Sequence, residues 1–100
     1  MIDERVVLYD NDICRLVLEF YRGRAYIHLK VRRWSAGVLK MMRKHWPDVK
    51  QTVADFGYRE LWAGFPETNL LLPRFAGMFG FREVLRRNGH VGMVVEVDHA

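Results

Sequence analysis

The hydrophobic period of this chain changes from two to about 3.6 after Val31, and that change limits the folds open to it. Before it, apolar residues alternate. Within Ile13 to Tyr21, Cys14, Leu16, Leu18 and Phe20 share one face, and Arg15, Val17 and Glu19 share the other. Ala25 to Val31 repeats the pattern, with Ala25, Ile27, Leu29 and Val31 opposite Tyr26, His28 and Lys30. Arg5 to Tyr9 is a short strand ahead of both. Asp10-Asn11-Asp12 and Arg22-Gly23-Arg24 supply the turns, so the three strands form an antiparallel meander.

After the change, Val38, Met42, Trp46, Val49, Val53 and Phe56 recur at spacings of three and four, the pattern of a helix with one buried face. Ser35 is its N-cap and Phe56-Gly57 its end. Pro47 lies inside the stripe without disturbing its phase, which predicts a kinked helix or two abutting helices. Val38, Met42, Val49, Val53 and Phe56 are the expected core residues of this stretch. Arg59 to Phe65 is strand-like, 66–69 is a loop, and residues 73–79 make about two helical turns, with Pro73 in the first turn and Gly80 as the stop. Arg82 to Leu85, a turn at Arg86-Arg87-Asn88-Gly89 and a strand over 90–97 complete the order.

A helix between Ala25–Val31 and Arg59–Phe65 forms a crossover, so those strands are expected to be parallel neighbours. The fold class is α/β (α+β), a mixed twisted sheet with an antiparallel N-terminal meander followed by β-α-β-α-β. One hundred residues, half of them apolar, make one domain, 1–100, with no linker or repeat. Sixteen Lys and Arg against twelve Asp and Glu give a charge of +4, clustered in 22–44 and 82–87. That charge suits phosphate-bearing ligands, acidic proteins or nucleic acid without selecting among them. The lone Cys14 excludes an internal disulfide and, in an alternating apolar run, is a buried strand residue.

The last third of the chain carries a family resemblance. Asn69 is followed eleven positions later by Gly80-Phe81, with the apolar stretch Leu70 to Phe79 between them and the run His90 to Val97 after them. This layout resembles the C-terminal half of GNAT-type N-acetyltransferases, where an "N…LY…GF" stretch closes the acetyl-coenzyme A site. The resemblance covers about residues 5–97 and leaves the family's first strand and first helical pair without a counterpart. Short GNAT-like proteins with a tryptophan in the phosphate loop also resemble proteins of tailed bacteriophages.

The loop into the helix is Val31-Arg32-Arg33-Trp34-Ser35-Ala36-Gly37-Val38. After a crossover strand such a loop offers free N–H groups and the positive end of the helix dipole to a phosphate. It resembles the family's pyrophosphate loop, in which Gln or Arg is followed by two residues, Gly, one residue, and Gly or Ala. Arg32 takes the first place, Ser35 stands where the first Gly belongs, and Gly37 keeps the second. The resemblance implies acetyl-CoA held by Val31, Arg32, Arg33, Ser35, Ala36, Gly37 and Val38, with Asn69 fixing the loop near the pantetheine. The tyrosine that the family commonly places seven residues after the Asn, as general acid, falls on Ala76, and Phe75 beside it has no hydroxyl. His28, on the Tyr26/Lys30 face of its strand, and Glu67, after the parallel strand, are the candidates for a base. His45, His90 and His99 show no spacing that suggests a metal or a triad, so no metal is expected.

Three functions follow. The first is a minimal acetyl-CoA-dependent N-acetyltransferase, modifying a protein amine by positioning rather than by a dedicated acid. The second is a GNAT-fold protein without catalysis that binds another protein, for example a virion-associated or host-directed phage protein. The third, a nucleic-acid binder, ranks behind both, because no base-reading motif accompanies the charge. The missing first helices imply a homo-oligomer or a hetero-complex. Met1-Ile2-Asp3-Glu4-Arg5 lacks the pattern of a secretory signal and no apolar run reaches the ~18 residues of a membrane span. The expected location is the cytoplasm, or the host cytoplasm or virion if the chain is phage-encoded.

Overall fold

The computed structural model describes residues 4–97, and His99 lies outside the described residues. Strands β1 (Glu4–Asp10), β2 (Cys14–Tyr21) and β3 (Arg24–Val31) are followed by helix α1 (Ala36–Asp55) and strand β4 (Glu60–Pro66). Helix α2 (Leu71–Gly77) and the hairpin of β5 (Arg82–Arg87) and β6 (His90–Glu96) complete the chain. The six strands form one sheet in the order β1-β2-β3-β4-β6-β5.

Local chemistry fixes the hairpins. In the β1–β2 turn, Asn11 Oδ1 accepts the backbone N–H groups of Ile13 at 2.8 Å and Cys14 at 3.0 Å. Arg22-Gly23 and Asn88-Gly89 both have positive φ at the two central positions, the geometry whose twist matches that of the flanking strands. The resulting register sets Leu16 opposite Leu29, Leu18 opposite Ile27 and Phe20 opposite Ala25. These residues form one face, and both helices lie on it.

The helical stripe forms a single helix of 20 residues that runs through Pro47, not two abutting helices. A proline inside a helix costs about 3 kcal/mol. Burying a Val or Met side chain contributes about 1.5–3 kcal/mol, and Val38, Met42, Val49 and Val53 are all buried. The stripe therefore outweighs the proline. Phe56 is a correction: it is 45 % exposed, because it is the residue after the last helical turn and stacks on Phe20 at the rim, with ring centroids 4.3 Å apart. Helix α2 begins two residues before the predicted start, since Asn69 Oδ1 accepts the N–H groups of Leu71 (3.2 Å) and Leu72 (3.0 Å). Gly80, at φ +93°, turns the chain into β5.

Among the described residues no helix covers the second face of the sheet. That face is polar rather than bare hydrocarbon, carrying Arg5, Arg15, Glu19, His28 and Lys30 on one half. Val17 and Val94 on this face are buried, whereas Val7, opposite Val17, and Leu85, opposite Gly92, are exposed. The most exposed apolar side chains, Leu70, Leu71 and Met78, belong to α2 and its two caps.

Candidate functional site

Strands β3 and β4 are parallel neighbours only at their beginnings, where Ala25 faces Leu61 and Tyr26 faces Trp62. Beyond those pairs β3 follows β2 as far as Val31 opposite Cys14, while β4 follows β6 as far as Pro66 opposite His90. Each strand is held by its other neighbour, so the two part toward their C-terminal ends. Alternate residues of a strand direct their N–H and C=O to opposite sides. Half of the backbone groups of β3 past Tyr26 therefore face the gap rather than a strand. On the helical side the gap narrows to an apolar cleft of ≈ 30 Å³ lined by Ile27, Leu29, Met42, Ala63, Phe65 and Phe75, among others.

The loop into α1 stands at the end of β3. Ser35 is extended at φ −162° and makes no side-chain cap, and its carbonyl accepts the N–H of Val38 at 3.1 Å. The N–H groups of Ala36 and Gly37 have no backbone acceptor among the described residues. Ser35, Ala36 and Gly37 are exposed, Val31 is half-buried and Val38 is buried. A Cβ at Gly37 would meet only Ser35 Oγ, at 3.3 Å, so the protein's own packing does not demand a glycine there. No acidic residue occupies the first turn.

Arg32 is committed differently from its neighbours. Its guanidinium donates to Asp10 Oδ1 at 3.0 Å and to the Asn11 carbonyl, and its backbone N–H donates to the Ile13 carbonyl at 2.7 Å. The side chain thus ties the loop to the β1–β2 turn. Arg33 shares the Ile13 carbonyl through its own N–H at 3.3 Å, and its exposed side chain makes no ion pair among the described residues.

The other sequence candidates are dispersed. Asn69 caps α2 and is half-buried. Ala76 is 7 % exposed and faces the apolar cleft, so its position is a core position. His28 lies on the helix-free face with Nε2 2.6 Å from Glu19 Oε1, and Glu19 also accepts Arg5 Nε at 2.9 Å. Glu19 belongs to β2, so the imidazole leans away from the β3–β4 gap. Glu67, in the loop after β4, is 3.8 Å from Arg86 Nη1 and lines a separate cavity with Asn69 and Arg74. The geometry groups the loop residues and the gap, and leaves His28 and Glu67 apart from them.

Sequence reasoning missed an aromatic chain that closes the cleft. Trp34 meets Phe75 (centroids 5.5 Å), Phe75 meets Phe79 (5.4 Å), and Phe79 and Phe81 both meet Trp46 (5.4 and 5.8 Å). The three phenylalanines in 75–81 are its one signal in the sequence. Burial pushes the Cys14 thiol up from its ordinary value, an effect partly offset by Arg32, so it is a poor nucleophile. Among the described residues no three His, Cys, Asp or Glu side chains converge as a metal site, and no helix is long and apolar enough to cross a membrane.

No family model matches the sequence, and no curated protein matches it. Solved structures do. The chain is similar to the ribosomal-protein-S18-alanine N-acetyltransferase from Escherichia coli, with 18% identity and a TM-score of 0.67 over 97% of this chain and 70% of that one. It is similar to the Campylobacter jejuni N-acetyltransferase PseH at 10% identity and a TM-score of 0.66, over 84% and 59% of the two chains. An N-acetyltransferase from Staphylococcus aureus Mu50 gives 13% identity and a TM-score of 0.62, over 89% and 64%. The chain thus spans between 59% and 70% of these proteins' lengths. At such identities the likeness is one of fold, and the fold is the expected GNAT-like mixed sheet.

Proposed function

We propose that this chain is an acyl-coenzyme A-binding protein of the GNAT type, with acetyl-CoA as ligand and N-acetyl transfer to a protein amine as its activity. The observation that supports this reading is the parting of β3 and β4 beside an open helix start. An extended thioester arm needs unpaired strand backbone, and a pyrophosphate needs free N–H groups at a helix N-terminus. The gap past Tyr26 and Trp62 offers the first, and Ala36 and Gly37 offer the second. The missing Cβ at Gly37 leaves room for close approach.

Bound acetyl-CoA would supply an activated acyl group. The chain's own part is to bind and orient: Ser35, Ala36 and Gly37 would meet the pyrophosphate through backbone N–H, and the free edge of β3 would align the arm. Arg32 would act indirectly, by holding the loop against the β1–β2 turn. Because the cleft is only ≈ 30 Å³, seating the arm requires α2 to move outward. With Ala76 in the usual tyrosine position, the reaction would rest on positioning.

A second reading, partner binding without catalysis, draws on the same closed cleft and on the absence of a hydroxyl at Phe75 and Ala76. Calorimetric titration with acetyl-CoA separates the two. Saturable binding to the parent that Gly37→Val abolishes supports the first. A flat titration at high ligand concentration, or equal affinity in Gly37→Val, removes it. Because Gly37 is a helical position whose Cβ meets one flexible hydroxyl, the variant should remain folded, which circular dichroism checks.

A further inference from the structure

The most exposed apolar side chains of this protein belong to α2 and its two caps. Leu70, Leu71 and Met78 are 75 %, 57 % and 58 % exposed. Leu70 is the N-cap of α2, Leu71 its first residue and Met78 its C-cap, seven residues beyond Leu71, with Arg74 between them. Isolated exposed apolar residues need no explanation, but three large ones on one seven-residue helix and its two caps form a patch of the kind that marks a contact surface. Beside them, between α2 and the β5–β6 hairpin, lies a cavity of ≈ 470 Å³ lined by Leu70, Pro73, Arg74, Arg86 and Val91 together with Glu67 and Asn69.

The unpaired charge around these side chains is positive, since the acidic residue of the groove, Glu67, and Glu83 of β5 both lie against Arg86. Residues 68–82 contain Arg74 and Arg82 and no Asp or Glu. On the other flank of α2, Trp34 packs on Phe75, and Trp34 is itself 43 % exposed beside Arg33. Residues 20–47, which include this loop, contain no acidic residue either. Neither Arg33 nor Arg74 is ion-paired among the described residues.

We propose that the solvent face of α2, with the groove beside it, docks an acidic, leucine-bearing segment of a partner protein. The aliphatic patch selects a partner with apolar side chains rather than a nucleic-acid backbone, which would leave Leu70, Leu71 and Met78 uncovered. The unpaired guanidinium groups select acidic residues flanking those side chains. The groove gives a leucine a place to seat.

The probe is a fluorescein-labelled synthetic amphipathic helix with Leu at i, i+3 and i+4 positions and Glu on its flanks, followed by fluorescence anisotropy. Saturable binding is expected, weakened at least about tenfold by Leu71→Ser combined with Met78→Ser. Arg74→Glu alone should weaken it as well. All three side chains are exposed, so the variants should keep the parent's melting curve. Equal binding of a counterpart with Lys in place of Glu, or unchanged binding by both variants, would overturn the proposal. So would preferential binding of duplex DNA or of phosphatidylserine vesicles, or self-association of the parent that Leu71→Ser with Met78→Ser abolishes.

Discussion

The indole of Trp34 stands edge-on to the ring of Phe75, with centroids 5.5 Å apart and planes at 69°. It joins the loop that leads into α1 to the helix that caps the β3–β4 gap. Phe75 is buried at 9 % exposure and lines the apolar cleft, so the indole acts on the cleft through it. Aromatic pairs in this geometry contribute about 0.5–1.5 kcal/mol beyond the area they bury. Trp34→Ala should therefore destabilise the fold by about 1 kcal/mol, read as a lower midpoint in urea with an unchanged slope. Because the indole braces α2 in the closed position, the same variant should bind acetyl-CoA at least as well as the parent. Weaker binding would place the indole in direct contact with the ligand.

Restoring the family's tyrosine is expected to fail, for a reason the sequence does not reveal. Ala76 is 7 % exposed and faces Ile27, Leu29, Met42 and Ala63 across a cleft of ≈ 30 Å³. A phenol cannot enter without displacing α2, and overpacking of this kind costs about 1–3 kcal/mol. Ala76→Tyr should thus lower the unfolding midpoint and raise no acetyl transfer, measured as thiol release. A stable Ala76→Tyr protein with faster turnover would show that α2 already samples an open position.

What was legible in the sequence was local. Gly23 and Gly89 mark the places of two turns because glycine takes positive φ cheaply, but the turns are tighter than expected: Arg24 belongs to β3, and Arg86 and Arg87 belong to β5. The stripe from Val38 to Val53 announces α1 because its period survives Pro47. Phe56 was misjudged because it lies one residue beyond the last turn, where helical phase no longer sets direction. The parting of β3 and β4 is not encoded in either strand alone. It follows from which partner each keeps, β2 or β6. Arg32 looks like a phosphate ligand by its place in the loop, yet its partner Asp10 is 22 residues away, and only the fold brings them together.

The thiol of Cys14 offers a test of core integrity. It is 1 % exposed, and burial raises its pKa above the ordinary 9.0, with Arg32 pulling the other way. A raised thiol pKa means that the folded state holds its proton more tightly than the unfolded state. Its contribution to stability is therefore complete below about pH 9 and declines as pH rises from there through the folded value. In the native protein at pH 8, reaction with a disulfide reagent should be slow, and denaturant should accelerate it sharply. Rapid labelling of the native protein would mean that β2 opens at that end.

Asn69 provides the sharpest separation of a structural role from a ligand role. Its Oδ1 accepts the N–H groups of Leu71 and Leu72 at 3.2 and 3.0 Å, and its own N–H donates to the Pro66 carbonyl at 2.9 Å. Helix α2 has only seven residues and no other side-chain cap, so it depends on these bonds. Asn69→Ala should destabilise the protein by about 0.5–2 kcal/mol, whereas Asn69→Asp, which keeps the acceptor, should recover most of that loss. Amide exchange should show the damage first at Leu71 and Leu72. If Asn69 acts on acetyl-CoA only through the helix it caps, affinity in the two variants will follow the protection of α2, and Asn69→Asp will bind nearly as well as the parent. If Asn69→Asp keeps α2 protected yet loses the ligand, the side-chain amide itself touches the arm.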